Sequence, residues 1–285
     1  MIILYPKMRS INPNMMKKKI NILFLCVFVL SNMTGCKSPD DCEQEQQIVI
    51  FFTTGSLSGS LLKSQASDEE DFIADVKLYG VDENGNITAF PLLVPNNSGT
   101  SITISRKIKS LYAIANPKNI ASVSTFSELM DLTADFTNAP KSPFLMSGKA
   151  EVNKNGLSTS VNIILVRAIA KIEIEIIDIK NEFAIESIEV RSTPAKGYVF
   201  ERETLSVSSF GLKTYTYSSP LPKKFDVYVA ENTLITPTQI FVTGKYQGET
   251  ITHNFTVKGK NAQGQDVGIF RNTCYPVKIC FDSCN

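Results

Sequence analysis

The chain has 285 residues, a formal net charge of +1, and a composition that is 43% hydrophobic and 20% charged. This length suits one large domain or two of ordinary size, and the apolar content is sufficient for a buried core. The balanced charge gives no electrostatic reason to expect nucleic acid or a strongly acidic partner.

Composition and motifs also argue against catalysis. The chain has no Trp and a single histidine, His253, so sites built from several histidines are excluded. It carries none of the GxSxG, HExxH, phosphate-loop or dinucleotide-binding signatures. We therefore predict that the protein is not an enzyme and that it uses no metal or cofactor.

Residues 1–35 have the pattern of a secretory signal peptide. Three consecutive lysines precede an apolar run over residues 20–30, and small residues then lead to Cys36. The run is too short to span a bilayer. Met15 and Met16 lie directly before the lysines and are the better candidates for the start of translation. A cysteine directly after Thr-Gly resembles the bacterial lipobox, so we expect lipid on Cys36; the alternative is an ordinary signal peptide that ends near a chance cysteine.

Four of the six cysteines remain once Cys26 leaves with the signal peptide and Cys36 carries lipid. They are Cys42, Cys274, Cys280 and Cys284, an even number in an oxidising compartment. Cys274 and Cys280 fall on the same face of one predicted strand, too far apart to bridge each other. A Cys280–Cys284 loop and a tie from Cys42 to the C-terminal cysteines both stay open, and a zinc site lacks the expected CxxC spacing.

The first half of the mature chain has the pattern of short strands. After a polar tether, residues 47–54 are apolar and rich in β-branched and aromatic side chains, which predicts a first strand. A Gly/Ser link over 55–60 and a polar run over 64–71 follow, and we expect the acidic residues of that run to be exposed. The Asn-Gly pair at 84–85 predicts a hairpin. One short helix is predicted within 124–137, capped by Ser124; strands are predicted over 72–81, 88–94, 101–108 and 109–115.

Residues 161–177 predict the most regular strand of the chain. From Ile164 the even positions are all apolar, whereas Arg167, Lys171 and Glu173 occupy odd positions. A period of two places successive side chains on opposite faces, so we expect the even positions to be buried and the odd positions from Arg167 to lie on a polar face. Residues 163–166 are apolar on both faces, so we expect that half to be covered on both sides. The strand follows a polar loop and is expected to lead into a second domain.

The second half is also rich in short strands, with turn signals roughly every 8–12 residues, which is typical of a β-sandwich. We predict an all-β chain of two sandwich domains in tandem, over residues 64–157 and 158–285, with the short helix in the first.

Four segments carry, in this order, a resemblance to a known family. Their patterns are I-x-x-V-x-L-x-x-x-D-x-x-G within 72–85, LYAIAN at 111–116, L-x-R-x-x-A-K-I at 165–172 and R-N-T-x-Y-x-V-x-I at 271–279. Met146-Ser147-Gly148 and Glu231-Asn232 add to them. Together, behind a lipobox, these segments cover most of the mature chain and resemble the fimbrillin family of Bacteroidetes, the major subunits of type V pili.

The resemblance implies a pilus subunit of two transthyretin-like β-sandwiches, exported as an outer membrane lipoprotein and then built into a cell-surface fimbria. In that family a trypsin-like protease removes the first strand, and a strand of the next subunit fills the groove. The implied partners are other fimbrial subunits, the outer membrane through the lipid, and a host or bacterial surface ligand. On this chain, residues 36–63 become a propeptide cut between Lys63 and Ser64, where the family usually has arginine.

The C-terminal end departs from the family pattern. Stalk subunits continue past the last strand with a hydrophobic donor segment, whereas only residues 281–285 follow it here. A subunit that accepts a strand without donating one belongs at the end of a polymer, so we expect a tip or accessory pilin. The alternatives are a pilus anchor that keeps the lipid on Cys36 and, from another class, a glycan-binding surface lipoprotein.

Overall fold

The computed structural model describes residues 45–57, 69–96, 98–152, 160–177, 183–202, 204–206 and 210–280. The predictions for the signal peptide at 1–35, for Cys36, Cys42 and Cys284, and for the cut between Lys63 and Ser64 lie outside these residues and stay predictions. Within the described ranges, no helix is long and apolar enough to cross a membrane.

The described chain up to Arg167 is built mainly of strands. In chain order its elements are β1 (Glu45–Thr54), β2 (Val76–Asp82), β3 (Ile87–Ala89), β4 (Thr100–Ser105), β5 (Ile108–Ala115), α1 (Phe126–Met130), β6 (Thr133–Asp135), β7 (Met146–Glu151) and β8 (Ser160–Arg167). Seven of these strands form one sheet in the order β3–β2–β5–β7–β8–β1–β4.

The strands of this sheet share one apolar core, the first core. Side chains of β1, β4 and β8 pack with those of β2, β5 and β7 in a single cluster. The sheet is continuous through a short contact between β7 and β8, in which Met146 pairs with Arg167 and Ser147 with Val166. Gly148 permits this approach, because a Cβ at that position would lie 2.2 Å from the carbonyl oxygen of Ile164.

The rest of the described chain contains ten further strands. They are β9 (Ile169–Ile176), β10 (Phe183–Pro194), β11 (Lys196–Tyr198), β12 (Leu212–Ser218), β13 (Lys224–Ala230), β14 (Gln239–Tyr246), β15 (Glu249–Thr256), β16 (Gly259–Lys260), β17 (Asp266–Val267) and β18 (Cys274–Ile279). These strands form two larger sheets, β12–β10–β14–β15 and β13–β9–β18. Two separate two-stranded ribbons, β11–β6 and β16–β17, occur in addition. Side chains of the two larger sheets form the second core, with Ile172, Ile188, Val229 and Val242 at its centre.

The segment 161–177 is two strands rather than the single strand predicted. β8 pairs with β1 and β7 around the first core, whereas β9 pairs with β13 and β18 around the second. The chain thus crosses from one core to the other at Ala168. The domain boundary between residues 157 and 158 stays a prediction. Each half has a parallel partner: β1 runs parallel to β8, and β18 runs parallel to β9.

The predicted cover on both faces of residues 163–166 is wrong, because Ile163 and Leu165 are buried whereas Ile164 is 55% exposed. The placement of Arg167 on a polar face is also wrong, since it is only 2% exposed. The prediction is correct for the apolar positions of β9. In β9 the even-numbered Ala170, Ile172 and Ile174 are buried as predicted. The phase changes because the two strands face different cores.

The predictions of an all-β chain, an Asn-Gly hairpin and a short helix are confirmed. Asp82 closes the β2–β3 hairpin by accepting hydrogen bonds from the backbone N–H groups of Asn84 and Asn86 at 2.8 and 2.9 Å. The helix α1 is capped by Thr125 rather than Ser124, through a capping box with Glu128. It is shorter than the predicted segment, because residues 133–135 form β6.

Candidate functional site

The first strand fills a slot between β8 and β4. Its side chains at Ile48 and Ile50 are buried, with 3% and 0% exposure, so they form part of the first core. The predicted strand over 47–54 is therefore confirmed as the internal strand β1. Without it, β8 and β4 would each present an unpaired edge, and the first core would be open to water.

The backbone of β1 pairs with two strands. Antiparallel pairing with β4 runs from Glu45 to Ile50, and parallel pairing with β8 runs from Val49 to Thr54. Among the described residues, Val49 and Ile50 have register partners on both sides. β1 therefore links β4 to β8 by backbone hydrogen bonds along both of its edges.

Arg167 and Asn272 hold the chain where it leaves β1. The backbone N–H of Gly55 donates to the carbonyl of Leu165 at 2.8 Å. Arg167 Nη1 donates to the Gly55 carbonyl at 3.0 Å, and Asn272 Nδ2 donates to the Ser56 carbonyl at 2.7 Å. The two side chains also contact each other, because Arg167 Nη1 donates to Asn272 Oδ1 at 2.7 Å.

The Arg167 guanidinium also contacts the chain after the stretch 58–68, at Glu70 and Asp71. Arg167 Nε donates to the Glu70 carbonyl at 3.2 Å, and Nη2 forms an ion pair with the Asp71 carboxylate. The predicted cut between Lys63 and Ser64 falls in the stretch 58–68, outside the described residues. The described residues on both sides of that stretch thus meet at one buried cation.

A buried ionic cluster surrounds Glu70. Lys171 Nζ lies 3.1 Å from Glu70 Oε1 and 2.9 Å from Asp226 Oδ2, and the Tyr228 hydroxyl donates to Glu70. The expectation that the acidic run over 64–71 is exposed is wrong for Glu70, which is only 3% exposed. Its carboxylate can be buried because a cation and a hydroxyl are placed against it.

The cluster shifts the pKa values of its members. Burial alone would lower the pKa of Lys171, but the hydrogen bonds to Asp226 and Glu70 outweigh that effect and raise its pKa. Burial and then the hydrogen bond to Glu70 raise the pKa of Tyr228. At neutral pH the cluster therefore contains a lysine that stays charged and a tyrosine that stays protonated.

Other motif residues stabilise the fold through side-chain hydrogen bonds and an ion pair. Arg271 forms a buried ion pair with Glu231, with Nε 2.7 Å from Oε2, and also donates to the carbonyls of Tyr198 and Val199.

Asn232 Nδ2 donates to the Ser192 carbonyl at 2.7 Å, and Asn116 Nδ2 donates to the Phe144 carbonyl at 2.7 Å. These side chains replace missing strand partners in the loops where the backbone leaves a sheet.

The predicted cysteine sites are only partly within the described residues. Cys274 is a buried thiol. Cys280 is in a disulfide. The connectivity stays a prediction. No group of His, Cys, Asp and Glu side chains suited to a metal ion occurs among the described residues.

Sequence reasoning missed the polar cluster at this site. Glu70, Asp71, Asp226 and Tyr228 carry no motif, and they come from two separate parts of the chain. Arg167 and Asn272 do belong to the motifs at 165–172 and 271–279. The order of those motifs along the chain was therefore the signal by which the sequence could have identified these two residues. It did not indicate that the two motifs meet at the end of β1.

Fold and site together define an all-β protein with two apolar cores and a first strand that fills the first core and is followed by two side-chain donors. No protein-family model and no curated protein matches the chain. Solved structures do. A fimbrial assembly protein from Parabacteroides distasonis is 15% identical, with a TM-score of 0.58 over 85% of this chain and 93% of that one. The tip fimbrial protein Mfa3 from Porphyromonas gingivalis, with a C-terminal truncation, is 16% identical, with a TM-score of 0.55 over 84% and 97%.

This chain therefore has the fold of these fimbrial proteins of Bacteroidetes, as the sequence predicted. At such low identity the likeness is one of fold.

Proposed function

We propose that the protein is a structural and adhesive subunit of a surface fimbria, and that it acts by binding and assembly rather than by catalysis. The observation that carries the proposal is the position of β1, a strand that lies between β4 and β8 and fills the first core with Ile48 and Ile50. The fold likeness to two fimbrial proteins over 84% and 85% of the chain supports it.

In this proposal the chain is exported as a lipoprotein through Cys36 and is then cut between Lys63 and Ser64. The cut separates β1 from the rest of the fold, and a strand of a neighbouring subunit takes its place. Strand addition of this kind derives its affinity from main-chain hydrogen bonds and its specificity from pockets for alternate side chains. The positions of Ile48 and Ile50 in the first core supply two such pockets.

The N-terminal sequence of the protein from sheared surface fibres tests the proposal. Fibre-borne protein that begins at Ser64 supports the exchanged subunit. Protein that begins at a lipidated Cys36 in the same fibres supports the anchor instead, because it has not been cut. Lysine rather than arginine precedes the predicted cut, so the uncut protein is the alternative outcome. Absence of the protein from purified fibres contradicts both.

The tip position predicted from the sequence is a separate part of the proposal. One of the similar structures is a tip fimbrial protein by its own name. Immunogold labelling of intact fibres with antibody against this chain tests the position. Label at the free ends supports a tip subunit, and label along the fibre contradicts it.

A further inference from the structure

We propose that Arg167 and Asn272 form a carbonyl latch, a pair of side-chain donors that binds the backbone directly after whichever strand occupies the β1 slot. The latch holds the chain's own first strand before exchange and receives the incoming strand afterwards. This inference rests on the proposed strand exchange and adds to it the residues that control retention and docking.

The geometry of the latch is independent of side-chain sequence in the bound strand. Its two acceptors are consecutive backbone carbonyls, those of Gly55 and Ser56, at 3.0 and 2.7 Å from the donors. A strand that pairs with β8 in the same register, and then follows the same backbone path as residues 55 and 56, presents two carbonyls at these positions. A latch of this kind therefore accepts strands of different sequence, while the pockets at Ile48 and Ile50 distinguish between them.

Burial makes the latch sensitive to occupancy. The Arg167 side chain is only 2% exposed, and the Asn272 side chain is also buried. Departure of β1 removes the Gly55 acceptor from Arg167 and the Ser56 acceptor from Asn272. Each side chain loses one acceptor, and this loss costs free energy, so an incoming strand that restores both acceptors is favoured.

The contacts of Arg167 also remain when the chain is cut within the stretch 58–68. Arg167 binds Gly55 before the stretch 58–68, and it binds Glu70 and Asp71 after it. A cut within that stretch breaks the covalent link but none of these contacts. The cut strand is therefore retained as a bound fragment until another strand replaces it.

The substitution Asn272→Asp removes one donor of the latch while it keeps the contact between residue 272 and Arg167. An aspartate keeps an oxygen for Arg167 and tolerates the positive φ of 50° at this position, which Asn and Asp adopt more readily than most residues. It cannot donate to the Ser56 carbonyl and places a carboxylate against it. The matched control is Asn254→Asp, on an exposed position of β15.

The experiment uses the full chain with Cys36→Ser, so that no lipid is attached, and with a sequence-specific protease site in place of residues 61–64. After cleavage under reducing conditions, which prevent a disulfide through Cys42 from retaining the fragment, its loss is followed by size-exclusion chromatography over a urea series. Rebinding is measured with a fluorescent synthetic peptide of residues 45–57.

We expect Asn272→Asp to lose the fragment on the order of tenfold faster and to bind the peptide on the order of tenfold more weakly. Asn254→Asp should match the unsubstituted protein. Equal fragment loss and equal peptide affinity in Asn272→Asp would overturn the latch while leaving strand exchange intact.

A different result separates the proposed function from the latch. If the fragment leaves the unsubstituted protein only when the whole fold unfolds, and the peptide does not rebind, strand exchange fails. The latch is then judged by the urea concentration at which the fragment leaves. A lower concentration for Asn272→Asp than for Asn254→Asp supports it, and equal concentrations contradict it.

Discussion

The ammonium nitrogen of Lys171 lies 3.1 Å from Oε1 of Glu70, and both side chains are buried. Lys171 is on β9, which faces the second core, whereas Glu70 lies two residues after the stretch 58–68, which contains the predicted cut. The chain downstream of the cut is thus fixed to a strand that does not belong to the β1 slot. Release of β1 can therefore leave the new N-terminal region in place.

Neutralising Glu70 should destabilise the fold. Glu70→Gln removes the charge that faces Lys171, so we expect the free energy of unfolding to fall by about 1–3 kcal/mol. Urea unfolding measures the change. The control is Glu186→Gln, whose pair with Lys245 is largely exposed and should contribute less than about 1 kcal/mol. Equal losses in the two variants would contradict the role given to the buried cluster.

The stability of the protein should decline in alkali. The pKa values of Tyr228 and Lys171 are raised above their ordinary values of 10.0 and 10.5. The folded state therefore binds these protons more tightly than the unfolded state does. Their contribution is fully present below about pH 10 and is lost as the pH rises further.

Tyr228→Phe should make that decline shallower, because the variant has no hydroxyl to ionise. Urea midpoints between about pH 7 and pH 11 measure the slope. Some decline should remain, since burial also raises the pKa values of Tyr215 and Tyr275. A slope identical to that of the unsubstituted protein would exclude Tyr228 as a contributor.

Gly148→Ala should disrupt the contact between β7 and β8. The added methyl group would lie 2.2 Å from the Ile164 carbonyl oxygen, and a backbone atom cannot move aside cheaply. We expect a loss of about 1–3 kcal/mol or more in thermal unfolding. Gly55→Ala is the control, because its nearest neighbours would lie at an ordinary 3.5 Å. A Gly148→Ala protein as stable as the Gly55→Ala protein would contradict the close approach.

Alternate residues of β1 should differ in how strongly they hold the strand in its slot. Ile50 is fully buried, whereas Phe51 is 38% exposed. In peptides of residues 45–57, the equivalent of Ile50→Ala should weaken binding to the emptied slot by about 2–4 kcal/mol. The equivalent of Phe51→Ala should cost less than half as much. The reverse order would show that the peptide binds in a register shifted by one residue.

Local patterns in the sequence were sufficient to predict the strands, the Asn-Gly hairpin and the short helix. Each depends on neighbours in sequence: alternation, a turn that needs Gly85, and a cap beside Phe126. The strand at 47–54 was predicted for the same reason. Its two partners could not be predicted, because nothing near it in sequence specifies that β4 and β8 lie on either side.

The burial of charged residues could not be predicted from local pattern. Arg167 and Lys171 occupy polar positions of an alternating segment, and alternation alone places such residues on a solvated face. They are buried because Glu70, Asp71 and Asp226 arrive from distant parts of the chain to meet them. The change of phase at Ala168 has the same origin, since only the tertiary fold decides which core each half of 161–177 faces.

The parallel pairing of β1 with β8 has a mechanical consequence. A pull on the strand in the slot, directed along its own axis, stretches the β1–β8 ladder from Val49 to Thr54 in shear. Hydrogen bonds sheared together share the force, whereas bonds peeled from one end break in turn. The chain then passes the tension through Ala168 into β9, where β18 is again a parallel partner. Such a fold would resist a pull along its strands far better than a pull applied across them.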